Sequence, residues 1–209
     1  MELVELKVRE FMDELASSSP APGGGSVAAV EAGYGASLLA MVCNLTLGRR
    51  KYADYQKLAE ETEKQAQEMK EDLLRLVDED TAAYNLVAAA YKLPKESEEE
   101  KQYRHDQIQA GLRESCQPPL KVIMLAQQCL TLLNEVWSNL NKSCASDLYV
   151  AALSLKAGLN GAYANVLINL AGLEDEKYVA ETKATLKEKV GEYNALADRL
   201  LEDLSAGLE

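Results

Sequence analysis

The residue best suited to chemistry in this sequence is Asp80, a carboxylate within an otherwise core-like stripe. The stripe repeats every three or four residues, as one face of a long helix does: Leu58, Thr62, Gln65, Met69, Leu73, Leu76, Asp80, Ala83, Val87 and Tyr91. Burial raises the pKa of a carboxyl group unless it is paired, and such a group suits general acid–base work. Asp80 is therefore the catalytic candidate, and the alternative is a bond from Asp80 to a tyrosine or lysine across the bundle.

A glycine-rich segment directly precedes a stretch of small residues, and it forms the second candidate site. Its members are Pro22, Gly23, Gly24, Gly25 and Ser26. Glycines ahead of a helix expose backbone N–H groups at its positive end, which suits an anion or a polar heterocycle, and Ser26 can cap that helix. The segment has no GK[ST] element and follows no strand, which excludes a P-loop and a dinucleotide fingerprint. The alternative is a tight turn that needs glycine for packing.

Further polar residues are candidates for ligand binding. Arg50 and Lys51 belong to a dense basic run, which could bind a carboxylate tail or compensate the end of the preceding helix. Asp147 stands at a predicted helix start, where acidic residues are common partners of the helix dipole. Asn44 and Asn165 lie in apolar helices and must bond either the backbone or a ligand.

Composition narrows the function classes. A net charge of −12 and a pI near 4.7 argue against nucleic-acid binding. The four cysteines form no CxxC pair, which favours reduced thiols and a cytoplasmic protein. With one histidine and no HExxH element, we expect no metal site. The charged N-terminus is no signal peptide, and Glu31 within the apolar segment 27–47 favours a buried helix over a membrane span.

Helical periodicity extends along the chain, while alternation with period two is almost absent, so the sequence predicts an all-α fold. Proline and glycine interrupt the pattern at residues 17–25, and Pro94 and Pro118-Pro119 punctuate it later. Ser143 or Ser146 can cap the sixth helix. The predicted helices cover about 3–15, 26–47, 53–91, 95–113, 118–137, 147–170 and 175–204.

Two of these helices, Val27–Leu47 and Tyr149–Leu170, are apolar all round and rich in glycine and alanine. Small residues let helix backbones approach closely, so we expect a multi-helix bundle with this pair at its centre and long amphipathic helices around it. We expect one domain over residues 1–209. So much apolar surface also suits a homodimer.

Three segments together resemble the cyclodeaminase domain of formiminotransferase-cyclodeaminase and its stand-alone relatives, the methenyltetrahydrofolate cyclohydrolases. They are PAPGGGSVAAVEAGYGASLLAMVCNLTLGRRKY (20–52), DEDTAAY (78–84), and SDLYVAA with NVLINLAG (146–152 and 165–172). The first is specific, and all three stand in the family's order. Arg49-Arg50 departs from the usual lysines, and Leu148-Tyr149 from the smaller residues that often follow Ser-Asp.

The resemblance implies a dimeric helical enzyme that acts on a tetrahydrofolate derivative without a metal. The family's key carboxylate falls on Asp80, and its folate pocket takes in the glycine segment. Hydrolysis of 5,10-methenyltetrahydrofolate to 10-formyltetrahydrofolate is favoured, because no formiminotransferase part is attached. The alternatives are 5-formiminotetrahydrofolate cyclodeaminase and a non-catalytic helical module that binds folate or another protein.

Overall fold

The computed structural model describes residues 2–208, which are helical throughout apart from their connecting loops and contain no strand. The all-α prediction is confirmed. The helices are α1 (Val8–Leu15), α2 (Gly24–Asn44), α3 (Gln56–Tyr91), α4 (Glu98–Ser115), α5 (Gln117–Val136), α6 (Ala145–Leu170) and α7 (Glu176–Ala206). Short 3-10 turns occupy Leu3–Glu5, Arg50–Tyr55, Trp137–Asn139 and Lys142–Cys144.

Helices α2 and α6 pack against each other as the central pair, as the sequence predicts, and they run antiparallel. Their contact is a seam of small residues: a methyl group added to Gly158 would come within 2.7 Å of the Ala28 carbonyl oxygen. At the other end of the seam, a methyl group on Gly35 would lie 2.9 Å from the Ala151 carbonyl oxygen. The close approach therefore depends on residues without side chains, and it fixes the register between the two helices.

Helix α3 packs antiparallel along another side of α2 and is the longest helix, at 36 residues. The middle of the predicted stripe is buried, including Leu73, Leu76 and Ala83. Thr62 and Val87 are buried too, but for Gln65 and Tyr91 the prediction is wrong: both are exposed, Tyr91 at 54%. Ala66, one residue after Gln65, and Ala90, one residue before Tyr91, take the buried positions instead.

Helix starts differ from the sequence expectation at three places. The first predicted helix is broken, because Leu6 and Lys7 are extended between the 3-10 turn and α1. Gly23, not Ser26, is the N-cap of α2, and Ser26 lies inside the first turn. Cys144 caps α6 without a side-chain bond, so the prediction that Ser143 or Ser146 caps it is wrong.

One outer face of the central pair carries large apolar side chains that no other described helix covers. These are Tyr34 and Met41 of α2, Leu45 directly after its end, and Val150, Leu153 and Ile168 of α6, each between 37% and 71% exposed. We call this six-residue patch the α2–α6 face.

Helix α2 is also long and apolar enough to cross a membrane by length and composition, although 61% of its most apolar stretch is buried inside the bundle.

Candidate active site

The candidate site centres on the contact between Asp80 of α3 and the first turn of α2. The carboxyl group of Asp80 lies directly over Gly25: a methyl group added there would be 2.5 Å from its Cγ and 2.6 Å from its Oδ2. Only glycine fits this position, since any side chain would displace the carboxyl group. The sequence left open whether the glycines bind a ligand or permit close packing, and at Gly25 packing is the reason.

Ser26, the next residue, connects Asp80 to the backbone of α3. Its hydroxyl oxygen lies 2.9 Å from the Val77 carbonyl oxygen, 3.2 Å from Asp80 Oδ2 and 3.3 Å from Thr81 Oγ1. The side chain is fully buried. Ser26 therefore faces the catalytic candidate, whereas its place in the glycine-rich segment predicts a contact with a ligand.

The electrostatics of Asp80 follow from this environment. Burial raises the pKa of the Asp80 carboxyl above its usual value, and the hydroxyl and backbone amide of Ser26 lower it by a smaller amount. The side chain is only half-buried, so one side of the carboxyl group stays open to solvent or a ligand. A carboxyl group with a raised pKa and an open side can exchange a proton with a bound molecule.

Asn165 of α6 lies beside the same turn of α2. Its Nδ2 would be 3.2 Å from a methyl group on Gly24, and it donates to the Gly161 carbonyl oxygen at 2.8 Å. Asn165 thus bonds its own helix backbone, and its half-buried side chain borders Gly24. The first turn of α2 therefore lies between Asp80 on one side and Asn165 on the other.

The start of α2 adds a positive electrostatic potential to this arrangement. The first N–H groups of a helix lack partners within the helix and carry the positive end of its dipole. Gly24 is exposed at this point, while Pro22 is buried beneath it. A polar or anionic group of a ligand could therefore reach the Gly24 backbone next to Asp80.

The other predicted binding residues do not join this group within one chain. Asn44, Arg50, Lys51 and Asp147 lie at the opposite end of the central pair, where α2 ends and α6 begins. The 21 residues of α2 separate the two groups by about 30 Å. Arg50 and Lys51 are exposed, and Asn44 donates weakly to Glu63 at 3.4 Å.

Sequence reasoning missed Thr81, whose hydroxyl lies 3.3 Å from that of Ser26. Thr81 falls outside the buried stripe, so helical spacing gives no signal for it; its position next to Asp80 was the available hint. His105, the one histidine of the sequence, lies 3.3 Å from Glu174 and takes no part in the site. Among residues 2–208, no group of three or more His, Cys, Asp or Glu side chains could hold a metal ion.

The fold is an all-α bundle whose candidate site holds a half-buried carboxyl group, and comparison with known families identifies the class of protein. Residues 7–188 match the family model described as formiminotransferase-cyclodeaminase. The chain belongs to this family.

Relatives with two kinds of name are similar to it. The methenyltetrahydrofolate cyclohydrolase of Methylorubrum extorquens is 35% identical, over 95% of this chain and 96% of the relative. The formimidoyltransferase-cyclodeaminase of Rattus norvegicus is 37% identical over 99% of this chain, which spans only 38% of that longer protein. The crystal structure of formiminotetrahydrofolate cyclodeaminase from Thermotoga maritima superposes with a TM-score of 0.82 at 28% identity, covering 99% of this chain and 98% of that one.

Proposed function

We propose that this protein hydrolyses 5,10-methenyltetrahydrofolate to 10-formyltetrahydrofolate, with Asp80 as the acid–base group. The observation that carries the proposal is the half-buried Asp80 carboxyl, held against the first turn of α2 with a raised pKa. Support also comes from the Methylorubrum extorquens relative, which is named a methenyltetrahydrofolate cyclohydrolase and matches along almost its whole length.

The reaction needs a group that both accepts and returns a proton. Water attacks the cationic methenyl carbon, and the Asp80 carboxylate takes a proton from that water. The resulting tetrahedral carbon is bonded to N5, N10 and a hydroxyl group. As the bond from carbon to N5 breaks, Asp80 returns its proton to N5, the hydroxyl proton leaves to solvent, and the carbon becomes the 10-formyl group. The negative Asp80 carboxylate also attracts the cationic substrate before attack.

The binding site in this proposal is the first turn of α2 with its neighbours. Pro22, Gly23 and Gly24 shape the approach to Asp80, and the exposed backbone of Gly24 offers its N–H to a polar edge of the pterin. Asn165 lines the opposite side. Gly25 and Ser26 contact Asp80 itself.

The second candidate activity is 5-formiminotetrahydrofolate cyclodeaminase. It is favoured by the names of the Rattus norvegicus relative and of the Thermotoga maritima structure. In this reaction N10 attacks the formimino carbon, and the N10 proton passes to the imine nitrogen. Asp80 in its protonated form then donates to the resulting amino group, the bond from carbon to that nitrogen breaks, and ammonia leaves the methenyl cation behind. Both activities pass through a tetrahedral carbon between two nitrogens, so the same carboxyl group serves either.

We further propose that the protein is a homodimer joined through the α2–α6 face. Contact between two copies would remove the six large apolar side chains of this face from water. Helix α2 carries one charged residue, Glu31, so little charge opposes that contact. A two-fold axis that sets the two copies antiparallel would bring Arg50 and Lys51 of one copy to the Asp80 end of the other. In that arrangement the basic run meets the glutamate end of the folate.

The test follows the near-ultraviolet absorbance of the methenyl bridge with purified protein and with Asp80→Asn. Loss of the signal of added 5,10-methenyltetrahydrofolate identifies the hydrolase. Gain of the signal from 5-formiminotetrahydrofolate identifies the cyclodeaminase. Turnover by Asp80→Asn at the wild-type rate refutes the role of Asp80. No turnover of either substrate, together with a rise in melting temperature on folate addition, would leave a folate-binding module.

A further inference from the structure

The hydroxyl of Ser26 has more acceptors around it than it has protons. It carries one proton and two lone pairs, and three oxygens lie within 3.3 Å: the Val77 carbonyl oxygen, Asp80 Oδ2 and Thr81 Oγ1. The nearest of them, at 2.9 Å, is the Val77 carbonyl oxygen. This oxygen can only accept a hydrogen bond, whereas the Thr81 hydroxyl and a protonated Asp80 can also donate one. The direction of the Ser26–Asp80 bond must therefore depend on whether Asp80 holds a proton.

We propose that Ser26 is a positioning residue that serves both protonation states of Asp80. When Asp80 is ionised, the Ser26 hydroxyl donates to Oδ2. When Asp80 is protonated, the acid donates to the Ser26 oxygen, and the Ser26 proton turns to the Val77 carbonyl oxygen. Rotation about one bond thus satisfies the buried hydroxyl in each state, and Asp80 does not have to move.

This arrangement matters because Ser26 is fully buried and cannot use water as a substitute partner. A buried polar group that loses its partner destabilises whichever state leaves it unsatisfied. Gly25 leaves room for the carboxyl group beside Ser26, since it has no side chain. The catalytic meaning of this inference rests on the proposed function, whereas the hydrogen-bond exchange itself does not.

Other charged groups around Asp80 are already paired or lie farther along their helices. On α3, Asp78 accepts from the Leu3 backbone at 2.6 Å, and Glu79 pairs with Lys121 of α5 at 2.9 Å. On α2 the first charged residue is Glu31, more than a turn beyond Ser26. From α6 the neighbour is Asn165, which does not titrate. Ser26 is therefore the residue to change.

The test measures the pKa of Asp80 directly, by carbon-13 NMR of the carboxyl resonance in aspartate-labelled protein. Asp80→Asn assigns the resonance. Ser26→Ala removes the hydroxyl and should raise the pKa by about one unit, because the ionised form loses a donor. Thr81→Val is the matched control: it removes the outer hydroxyl with little change in shape and should shift the pKa by less than about a third of that.

The pH dependence of kcat/KM gives a second readout. In Ser26→Ala the acidic limb should move up by the same unit, so kcat/KM below that limb falls about tenfold. If Ser26→Ala does not fold, Ser26→Cys keeps a weak donor of similar size and should give a smaller upward shift. An unchanged or lowered pKa in the folded variant overturns the inference. An NMR shift in a protein that turns over no folate keeps the inference and refutes the proposed function.

Discussion

The Asp80 carboxyl group and the Cα of Gly25 touch without any intervening side chain. This contact joins α3 to the first turn of α2, and a methyl group added at Gly25 would lie 2.5 Å from Asp80 Cγ. The position of the Asp80 carboxyl group therefore depends on Gly25 having no Cβ atom. Neighbouring Gly24 has more room, with 3.2 Å to Asn165 Nδ2.

Gly25→Ala should therefore lower kcat strongly, while Gly24→Ala should not. Displacing a catalytic group by about 1 Å costs roughly a hundredfold in rate. For Gly24→Ala we expect kcat within about tenfold of wild type, because the Asn165 amide can move a few tenths of an ångström. Steady-state kinetics on both variants, with circular dichroism as a check of folding, make the comparison. Wild-type kcat in a folded Gly25→Ala protein would contradict the geometry.

Asp80→Asn should make the protein more stable at neutral pH. The folded pKa of Asp80 is raised above the unfolded value, so the folded state binds the proton more tightly. The free energy of unfolding then decreases as the pH rises from the unfolded pKa, near 3.9, through the folded pKa. The Asp80→Asn variant has no carboxyl group to ionise, so its free energy of unfolding does not decrease in this way. Calorimetry between pH 4 and pH 8 should show the variant melting higher at pH 8 and the difference closing toward pH 4; a difference independent of pH would refute the explanation.

The four thiols should be unreactive in the folded protein. Cys43, Cys116, Cys129 and Cys144 are all buried. Burial raises the pKa of Cys43 and of Cys129 to about 12 and that of Cys116 to about 11. Titration with a disulfide reagent at pH 8 should modify fewer than one thiol per chain, and all four in denaturant. Rapid reaction of one thiol in the native protein would show an opening that the structure does not contain.

Two glycine substitutions, one inside the seam between α2 and α6 and one outside it, should have opposite effects on stability. Gly158→Ala brings a methyl group within 2.8 Å of the Ala32 Cβ, so it should destabilise the protein by about 1–3 kcal/mol. Gly191 in α7 has no neighbour within 4 Å of such a methyl group. Gly191→Ala should stabilise by about 0.5–1 kcal/mol through helix propensity alone. Urea denaturation of both variants measures the difference, and equal signs would contradict the packing.

A charge on the α2–α6 face should separate the proposed dimer. Met41→Glu places a carboxylate among apolar side chains, which a dry interface tolerates poorly. Leu86→Glu is the matched control, since Leu86 is 56% exposed in the groove between α3 and α4. Light scattering with size exclusion should give a monomer for Met41→Glu and a dimer for Leu86→Glu. A monomeric wild-type protein would refute the dimer outright.

Much of this fold could be predicted because its signals are local. Helical spacing gave the long α3 and the position of Asp80, and the glycine and alanine content gave the central pair. Helix starts were harder, because glycine and cysteine cap α2 and α6 where serine was expected. A cap without a side-chain bond leaves no sequence signal.

The spacing of residues in the sequence does not show which predicted site residues lie together in the structure. Asn44 and Asn165 look alike in sequence, each in an apolar helix, yet they lie at opposite ends of the central pair. Only the antiparallel arrangement of α2 and α6 separates them. The role of Ser26 was also hidden, because a serine after three glycines looks like a cap or a ligand contact until Asp80 is placed beside it.

The central position of α2 has a consequence for synthesis on the ribosome. Its partner α3 follows directly, whereas α6 begins at Ala145, about a hundred residues after α2 ends. At 5–20 residues per second, the small-residue side of α2 stays exposed for roughly 5–20 s before the ribosome reaches α6. During that interval the nascent chain displays a helix that is long and apolar enough to cross a membrane by length and composition. Early packing of α3 against α2 therefore shortens the time for which this apolar helix is exposed on the nascent chain.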